Sequence, residues 1–182
     1  MKILLGVTGS ISAYKAADIA NRLTKAGHSV NVILTDGGSK FITALTLQTL
    51  TKNRVHEDAF CEDEPTQVKH IDLAQSSDMI LIAPASANII GKIASGIADD
   101  LLSATVMAAR KQTPIYIAPA MNTIMYENPI VQDNIARLQS LGYNFIEPKE
   151  DHLACGTTGK GALADVDTIV DTVNLVGGVT GL

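Results

Sequence analysis

The sequence predicts an α/β fold, a doubly wound parallel sheet of the Rossmann-like or flavodoxin-like kind with helices on both faces. Two observations support this prediction. Short apolar runs alternate with amphipathic helical segments along the chain, as in successive βα units. The apolar runs are continuous, which is typical of strands buried on both faces of a parallel sheet. We expect residues 1–182 to form a single domain.

The first sixteen residues contain the first of these units. Residues 3–7 are an apolar strand, and from Ala13 to Leu23 apolar residues recur at helical spacing. Between them lies a turn of small residues that includes Gly9. A helix that begins at such a turn offers unpaired N–H groups and the positive end of its dipole to an anion. The turn is either a phosphate site or an ordinary strand-to-helix turn, and it lacks the dinucleotide motif G-x-G-x-x-G.

The remaining elements continue the alternation. The predicted strands are 30–34, 79–83, 115–118 and 144–146, and the predicted helices are 41–50, 88–95, 99–110, 129–141 and 166–176. Asp99 or Asp100 is expected to cap the helix that begins at Leu101. Residues 51–69 are charged and irregular, so we interpret them as a surface excursion. The glycine-rich residues after 176 are expected to fray.

Composition argues against several classes of protein. The net charge of −5 and the lack of a basic run disfavour nucleic acid as a partner. No apolar stretch reaches the roughly 18 residues of a membrane span, and we expect no signal peptide. Cys61 and Cys155 are far apart in the sequence and do not form a metal-binding pattern. We therefore expect a reduced, cytoplasmic protein with no metal site and no membrane association.

Unusual residues follow the predicted strands. In a doubly wound sheet the ligand binds beyond the carboxyl ends of the strands. Those ends carry Gly9-Ser10, Thr35-Asp36, Pro84-Ala85-Ser86, Pro119-Ala120-Met121-Asn122 and Pro148. Because these ends share one edge of the sheet, the pattern predicts a single binding site there.

Four stretches together resemble the homo-oligomeric flavin-containing cysteine decarboxylases. They read TGSISAYK (8–15), PASAN (84–88), PAMNTIMY (119–126) and ACGTTGKG (154–161). The resemblance covers nearly the whole chain and implies that FMN is the cofactor. It also implies the cofactor-binding residues, which are Gly9, Ser10, Ile11, Ser12, Thr35, Ser39, Ser86, Asn88, Ser103 and Met107. Taken alone, PASAN would indicate a proline-started loop with a serine cap.

The same resemblance implies the catalytic residues. His70 matches the active-site histidine, which would act as base in the first half-reaction. Asn122 would hold the substrate carboxylate, with Met121 and Met125 shaping its surroundings. Cys155 would donate a proton late in the reaction from a flap that closes over the substrate. Lys160 would replace an arginine that is common in this flap. Without the resemblance, His70 would be interpreted as a surface or satisfied core histidine, and M-N-x-x-M as a turn asparagine with two core methionines. The glycines around Cys155 by themselves favour a flexible flap after the strand 144–146 over a buried structural thiol.

The chemistry explains why such an enzyme needs FMN. Loss of CO2 from a cysteine-derived carboxylate requires an electron sink, which oxidation of the thiol carbon to a thioaldehyde provides. No amino-acid side chain can accept that hydride, whereas a flavin can. Decarboxylation then gives an ene-thiolate, and hydride return with a proton from Cys155 would give the saturated thiol.

The resemblance implies a substrate, partners and alternatives. The expected reaction converts 4′-phosphopantothenoylcysteine to 4′-phosphopantetheine in coenzyme A biosynthesis, with a separate ligase supplying the substrate. The expected assembly is a homo-oligomer, either a trimer or a dodecamer, with FMN at the subunit interface. The alternatives are an oxidative decarboxylase of a C-terminal peptidyl cysteine, a non-catalytic regulatory flavoprotein and a flavin prenyltransferase of related fold.

Overall fold

The computed structural model describes residues 1–58, 68–152 and 158–178. Its main feature is a six-stranded, fully parallel sheet with the order β3-β2-β1-β4-β5-β6. The strands are β1 (Lys2–Val7), β2 (Ser29–Leu34), β3 (Val55–His56), β4 (Met79–Ala85), β5 (Ile115–Pro119) and β6 (Asn144–Phe145). The predicted fold class is confirmed. The chain reverses its direction of strand addition between β1 and β4, which makes this junction the topological switch point.

A separate antiparallel hairpin consists of β7 (Lys149–His152) and β8 (Thr158–Ala162). A short 3-10 turn, Ile11–Tyr14, leads from β1 into the first helix. The helices are α1 (Lys15–Lys25), α2 (Asp36–Ser39), α3 (Ala44–Thr51), α4 (Lys69–Ser76), α5 (Ala87–Ser95), α6 (Leu101–Met107), α7 (Thr123–Glu127), α8 (Pro129–Ser140) and α9 (Val166–Val176). Within the described ranges, no helix is both long and apolar enough to cross a membrane.

The two faces of the sheet bury separate apolar layers. Ile3, Leu5 and Val7 of β1 pack with residues of α1 and α9 on one face. Leu4 points to the opposite face and packs with residues of α5, α6 and α8. This alternation along a strand that is buried on both sides explains why the sequence of β1 is continuously apolar.

Several predicted boundaries differ from the structure. The predicted helix 41–50 begins at Ala44, because the Oγ1 atom of Thr43 accepts a hydrogen bond from the backbone N–H of Thr46 (3.3 Å) and caps α3. The predicted helix 99–110 is α6, which ends at Met107. Residues 51–69 were predicted to be irregular, yet they include β3, which pairs with β2 at the sheet edge. The predicted cap at Asp100 is confirmed.

Candidate active site

A cavity of about 540 Å³ lies at the carboxyl edge of the sheet, beside the switch point. Its volume is in the range of small-molecule sites. Four segments form most of the wall: the turn after β1, the start of α5, the segment after β5 and the β7–β8 hairpin. The lining residues are Gly9, Ser10, Ile11, Ser12, Tyr14, Lys15, Phe41, Ser86, Ala87, Ala120, Met121, Asn122, Met125, Asp151, Gly161 and Ala162.

The turn after β1 approaches the turn after β2 through two glycines. A Cβ atom added to Gly9 would lie 3.1 Å from the Cα atom of Gly37, so a larger residue would push the turns apart. Ser10 has extended backbone angles, and its Oγ atom accepts a hydrogen bond from the N–H of Ser12 (3.3 Å). The turn therefore presents small residues and a serine-capped helical start at the cavity wall.

The start of α5 forms the neighbouring wall. Ser86 caps this helix, since its Oγ atom accepts a hydrogen bond from the N–H of Ile89 (3.4 Å). Asn88 is the second residue of the helix, is exposed and is not among the residues that line the cavity. The predicted PASAN contact is therefore placed at the cavity for its serine and not for its asparagine.

The segment after β5 brings an amide to the cavity. Asn122 caps α7, because its Oδ1 atom accepts a hydrogen bond from the N–H of Ile124 (2.8 Å). Since the oxygen is committed to the helix, the nitrogen is the donating end of this side chain. Met121 and Met125 line the same wall. An uncharged amide donor next to methionine side chains suits a ligand whose carboxylate is attached to an apolar group.

The β7–β8 hairpin packs directly on this segment. The N–H of Met121 donates a hydrogen bond to the carbonyl oxygen of Gly161 (2.9 Å). Gly161 has a φ of +146°, and a Cβ atom there would lie 2.5 Å from the carbonyl oxygen of Met121. Asp151 and Ala162 extend the hairpin's share of the wall. Glycine at 161 is therefore what allows the hairpin to approach the segment after β5.

Lys160 is held beside the cavity rather than on its wall. Its Nζ atom lies 2.8 Å from Oε2 of Glu147 and 5.7 Å from the centre of the Tyr126 ring. The hydrogen bond to Glu147 raises the pKa of Lys160. The ammonium group that was predicted to contact the substrate is thus already paired with a carboxylate.

Other predicted cofactor residues also lie off the cavity lining. The Oγ1 atom of Thr35 accepts a hydrogen bond from the N–H of Gly38 (3.1 Å), and Ser39 donates to the carbonyl oxygen of Asp36 (2.8 Å). Ser103 is fully buried in a reciprocal cap with Asp100. Met107, the last residue of α6, has 41% of its surface exposed. The roles assigned to these side chains stay predictions.

The predicted acid and base have different positions. His70 is the second residue of α4 and is partly buried, and it is not among the residues that line the cavity. Cys155 lies outside the described residues. In the described part of the chain, no group of acidic, histidine and cysteine side chains could hold a metal ion.

Some lining residues had no role in the sequence interpretation. Tyr14 and Lys15 belong to the TGSISAYK stretch, which could have suggested them. Phe41 begins the predicted helix 41–50, and neither Phe41 nor Asp151 belongs to one of the four stretches that carry the resemblance. Among the lining residues that the structure describes, Lys15 is the only cation and Asp151 the only carboxylate.

These walls fit FMN. The small residues Gly9, Ser10 and Ser12 on the cavity wall allow close approach of a phosphate or polyol to the backbone. Apolar side chains surround the rest of the cavity, as an aromatic ring system requires. They are Ile11, Tyr14, Phe41, Met121 and Met125.

Comparison with protein families and curated relatives gives a consistent result. The flavoprotein family model matches residues 1–176. A probable phosphopantothenoylcysteine decarboxylase of Streptococcus mutans is 51% identical over 172 residues, which are 94% of this chain and 96% of that protein. The coenzyme A biosynthesis bifunctional protein CoaBC of Bacillus subtilis is 48% identical over 168 residues, 92% of this chain. The chain spans only 41% of that bifunctional protein.

Solved structures agree with these relatives. A cysteine-to-serine variant of PPC decarboxylase, complexed with pantothenoylaminoethenethiol, matches with a TM-score of 0.88 and 32% identity, covering 97% of this chain and 98% of that one. The FMN binding protein AtHal3 matches with a TM-score of 0.85 and 32% identity, covering 100% and 98%. The peptidyl-cysteine decarboxylase EpiD matches with a TM-score of 0.79 and 25% identity, covering 94% and 97%.

Proposed function

This chain belongs to the flavoprotein family, and on that premise we propose that it is an FMN-dependent decarboxylase in coenzyme A biosynthesis. Its substrate is 4′-phosphopantothenoylcysteine and its product is 4′-phosphopantetheine. The observation that carries the proposal is the cavity at the switch point. There the serine-capped turn after β1, Ser86 and the Met121-Asn122 pair form one wall, in a chain 51% identical to a probable phosphopantothenoylcysteine decarboxylase along nearly its whole length.

When bound, FMN supplies the hydride acceptor and donor that this reaction requires. Residues 9–12 and Ser86 would hold it, since they offer small side chains and hydroxyl groups at the cavity wall. The amide nitrogen of Asn122 would donate to the substrate carboxylate and orient it. An amide does this without competing for a proton, so the carboxylate remains ionised until CO2 leaves.

Two proton transfers complete the proposal. His70 would accept a proton from the substrate when its thiol carbon is oxidised, because a neutral imidazole is a base near physiological pH. Cys155 would return a proton to carbon when the ene-thiolate is reduced.

Lys160 would exchange Glu147 for an anionic group of the substrate. Both partners of that ion pair are partly exposed (42% and 59%), so the exchange costs little.

The assembly is a homo-oligomer, either a trimer or a dodecamer. His70 does not line the cavity of its own chain, so we propose that a neighbouring copy brings it to the site. A separate ligase supplies the substrate, as the bifunctional name of the Bacillus subtilis relative suggests. The enzyme works in the cytoplasm, where its two distant cysteines stay reduced.

The first experiment is a visible spectrum of the purified protein followed by addition of 4′-phosphopantothenoylcysteine. We expect a flavin spectrum, release of CO2 and a saturated thiol by mass spectrometry. A protein that neither contains nor rebinds FMN would contradict the proposal. A flavoprotein that processes only a peptide ending in cysteine would support the peptidyl-cysteine alternative, and one that processes neither would support a regulatory role.

Two variants test the proton transfers. We expect His70→Asn to keep FMN and to lose CO2 release. We expect Cys155→Ser to release CO2 and to accumulate the ene-thiol, which is two hydrogens lighter than the normal product. Saturated product formed at the wild-type rate by Cys155→Ser would show that another group donates the proton.

A further inference from the structure

Thr8 joins the two strands on either side of the switch point. Its hydroxyl group donates a hydrogen bond to the carbonyl oxygen of Pro84 (2.8 Å) and accepts one from the N–H of Ser86 (2.9 Å). The backbone N–H of Thr8 also points to the Pro84 oxygen (3.3 Å). Only 2% of Thr8 is exposed. This hydroxyl therefore bridges two chain segments through both its donor and its acceptor function.

The bridge adds to the limited backbone pairing between the ends of β1 and β4. Their parallel register ends at the Gly6–Ile82 pair. Two residues further along β4 is Pro84, which has no N–H to donate to a neighbouring strand. Beyond the last pair, one backbone hydrogen bond remains, from the N–H of Thr8 to the carbonyl oxygen of Pro84. The Thr8 hydroxyl adds a second donor to that oxygen and an acceptor for the N–H of Ser86. Thr8 therefore makes the hydrogen bonds that join these two strand ends.

Both strand ends carry cavity residues. Gly9 and Ser10 follow Thr8 directly, and Ser86 is the residue whose N–H Thr8 binds. The Oγ atom of Ser86 accepts the N–H of Ile89. Because its N–H is committed to Thr8 and its oxygen to α5, the hydroxyl hydrogen is the donor that Ser86 retains for a ligand.

We propose that Thr8 is a positioning residue for the cofactor. It fixes the separation between the turn after β1 and Ser86, so that both can contact FMN at once. This inference rests on the proposed function, because FMN is the ligand that the two turns would share. Removing the hydroxyl leaves the Ser86 N–H without its partner at this partly buried junction, which favours a rearrangement of the wall.

The test compares Thr8→Val, which is similar in shape but has no hydroxyl, with Thr8→Ser, which keeps it. Thr105→Val is the matched control. Thr105 is fully buried, and its hydroxyl donates to the carbonyl oxygen of Leu101 (2.6 Å) within α6, away from the cavity lining. FMN affinity is measured by titrating apoprotein and following the quenching of flavin fluorescence. Urea unfolding of each apoprotein gives its stability.

We expect Thr8→Val to weaken FMN binding by roughly tenfold or more, which is the range expected for losing a buried hydrogen-bonding group. Thr8→Ser and Thr105→Val should remain within about threefold of wild type, even where Thr105→Val loses comparable stability. Wild-type affinity in Thr8→Val would overturn the inference. So would an equal loss of affinity in Thr105→Val, since that would reflect stability alone.

Thr8→Ala is measured in parallel, because it removes the hydroxyl without adding a methyl group at the buried oxygen position. We expect the same loss of FMN affinity. If neither Thr8→Val nor Thr8→Ala folds while Thr105→Val does, Thr8 determines folding rather than the cofactor site and the inference is wrong. Failure of the wild-type protein itself to bind FMN would instead overturn the proposed function.

Discussion

Three side chains at the cavity already make a hydrogen bond that stabilises the fold. Ser10, Ser86 and Asn122 each use an oxygen atom to accept a backbone N–H and so cap a helical turn. In Ser10 and Ser86 the cap leaves the hydroxyl hydrogen unused. A substitution that removes the whole side chain therefore changes folding and binding together. The informative substitutions keep the cap oxygen and alter only the donor.

Asn122→Asp is such a substitution. Aspartate caps helices about as well as asparagine, so we expect little change in the free energy of unfolding. On the proposed role of Asn122, this substitution would remove the amide donor and place a negative charge opposite the substrate carboxylate, so kcat/KM should fall by roughly 100-fold or more. Steady-state CO2 release and urea unfolding measure the two effects.

Asn128→Asp is the control for this prediction. Asn128 caps α8 through the same bond, from the N–H of Ile130 to its Oδ1 atom (3.0 Å), but does not line the cavity. The activity of the Asn128→Asp enzyme should match that of the wild type. A similar loss of activity in both variants would show that the Asn122 effect arises from the cap and not from the substrate.

At the residue level, the rule that ligands bind beyond strand ends agrees best with the cavity lining, while the roles of the individual residues stay predictions. That rule placed Gly9, Ser86 and Asn122 at one cavity. It could not place Phe41 or Asp151, because these residues reach the cavity through tertiary packing. Ser103 shows a second limit of prediction from the sequence. Ser103 and Asp100 form a reciprocal cap at the start of α6. Their three-residue spacing is present in the sequence, but the resemblance implied a cofactor role for Ser103 instead.

The β7–β8 hairpin depends on two glycines, Gly159 and Gly161. Gly161 needs space at the Met121 carbonyl, and a Cβ atom at Gly159 would lie 2.7 Å from the side-chain oxygen of Thr123. Both glycines face the segment that carries Asn122. The hairpin and α7 therefore form one packed unit next to the cavity.

We expect Gly161→Ala to destabilise the protein by about 1–3 kcal/mol, since it combines an unfavourable φ with a backbone clash. Gly142→Ala is the control, because Gly142 also has a positive φ (+91°) but no neighbouring atom within 4 Å of an added Cβ. Of the two variants, only Gly161→Ala should also raise the KM for the substrate. Equal KM values in the two variants would show that the hairpin does not shape the substrate site.

Asp100 caps α6 and also pairs with Lys92 of α5 (2.7 Å). Burial alone would raise its pKa, but hydrogen bonds from Lys92 and Ser103 outweigh burial and lower it. The ionised group therefore stabilises the fold above the pKa of the unfolded chain, and this contribution is lost as pH falls through the lower folded pKa.

We expect Asp100→Ala to lower the free energy of unfolding by about 1–2 kcal/mol at neutral pH, the effect of losing a cap. Asp100→Asn should lose less at neutral pH and should remove this group's share of the acid sensitivity. Asp99→Asn is the control, because Asp99 also binds Lys92 (2.6 Å) but is not the capping residue. Urea unfolding at several pH values measures all three. An Asp99→Asn variant as destabilised as Asp100→Ala would contradict the cap explanation.

Element prediction followed the apolar pattern of each segment. Elements with a clear apolar run or helical period, such as β1, β4 and α8, were predicted within a few residues. The short elements β3, β7 and α7 were missed, whereas β6, which is also two residues long, was predicted as 144–146. So few residues carry little periodic signal, and a short strand exists because a partner strand satisfies its backbone. That partner can be distant in sequence, so local patterns cannot reveal the pair.

For the whole molecule, exposed apolar residues at the cavity mouth indicate a surface for assembly. Four of its apolar lining residues are about half exposed: Ile11 (56%), Tyr14 (60%), Phe41 (49%) and Met125 (49%). Exposed apolar groups clustered at one site are typical of a surface that another molecule covers. Bound FMN and a neighbouring copy that contributes His70 would together cover them.

We therefore expect sedimentation and light scattering to give three or twelve times the chain mass of 19.2 kDa. Mixing His70→Asn with Asn122→Asp protein, after dissociation and reassembly, should restore part of the activity, because some sites would receive both intact residues from different chains. Each variant reassembled alone is the control. A monomer with full activity, or no recovery in the mixture, would contradict a site shared between copies.

The composition of the cavity walls couples ligand binding to complete folding of the chain. Its walls come from residues as far apart in the chain as Gly9 and Ala162, so a partly synthesised or partly unfolded chain cannot present the complete site. A ligand that binds only the completed site adds its binding free energy to global stability, about 2.7 kcal/mol at a hundred times Kd. Cofactor supply would then set the heat tolerance and lifetime of the protein in the cell.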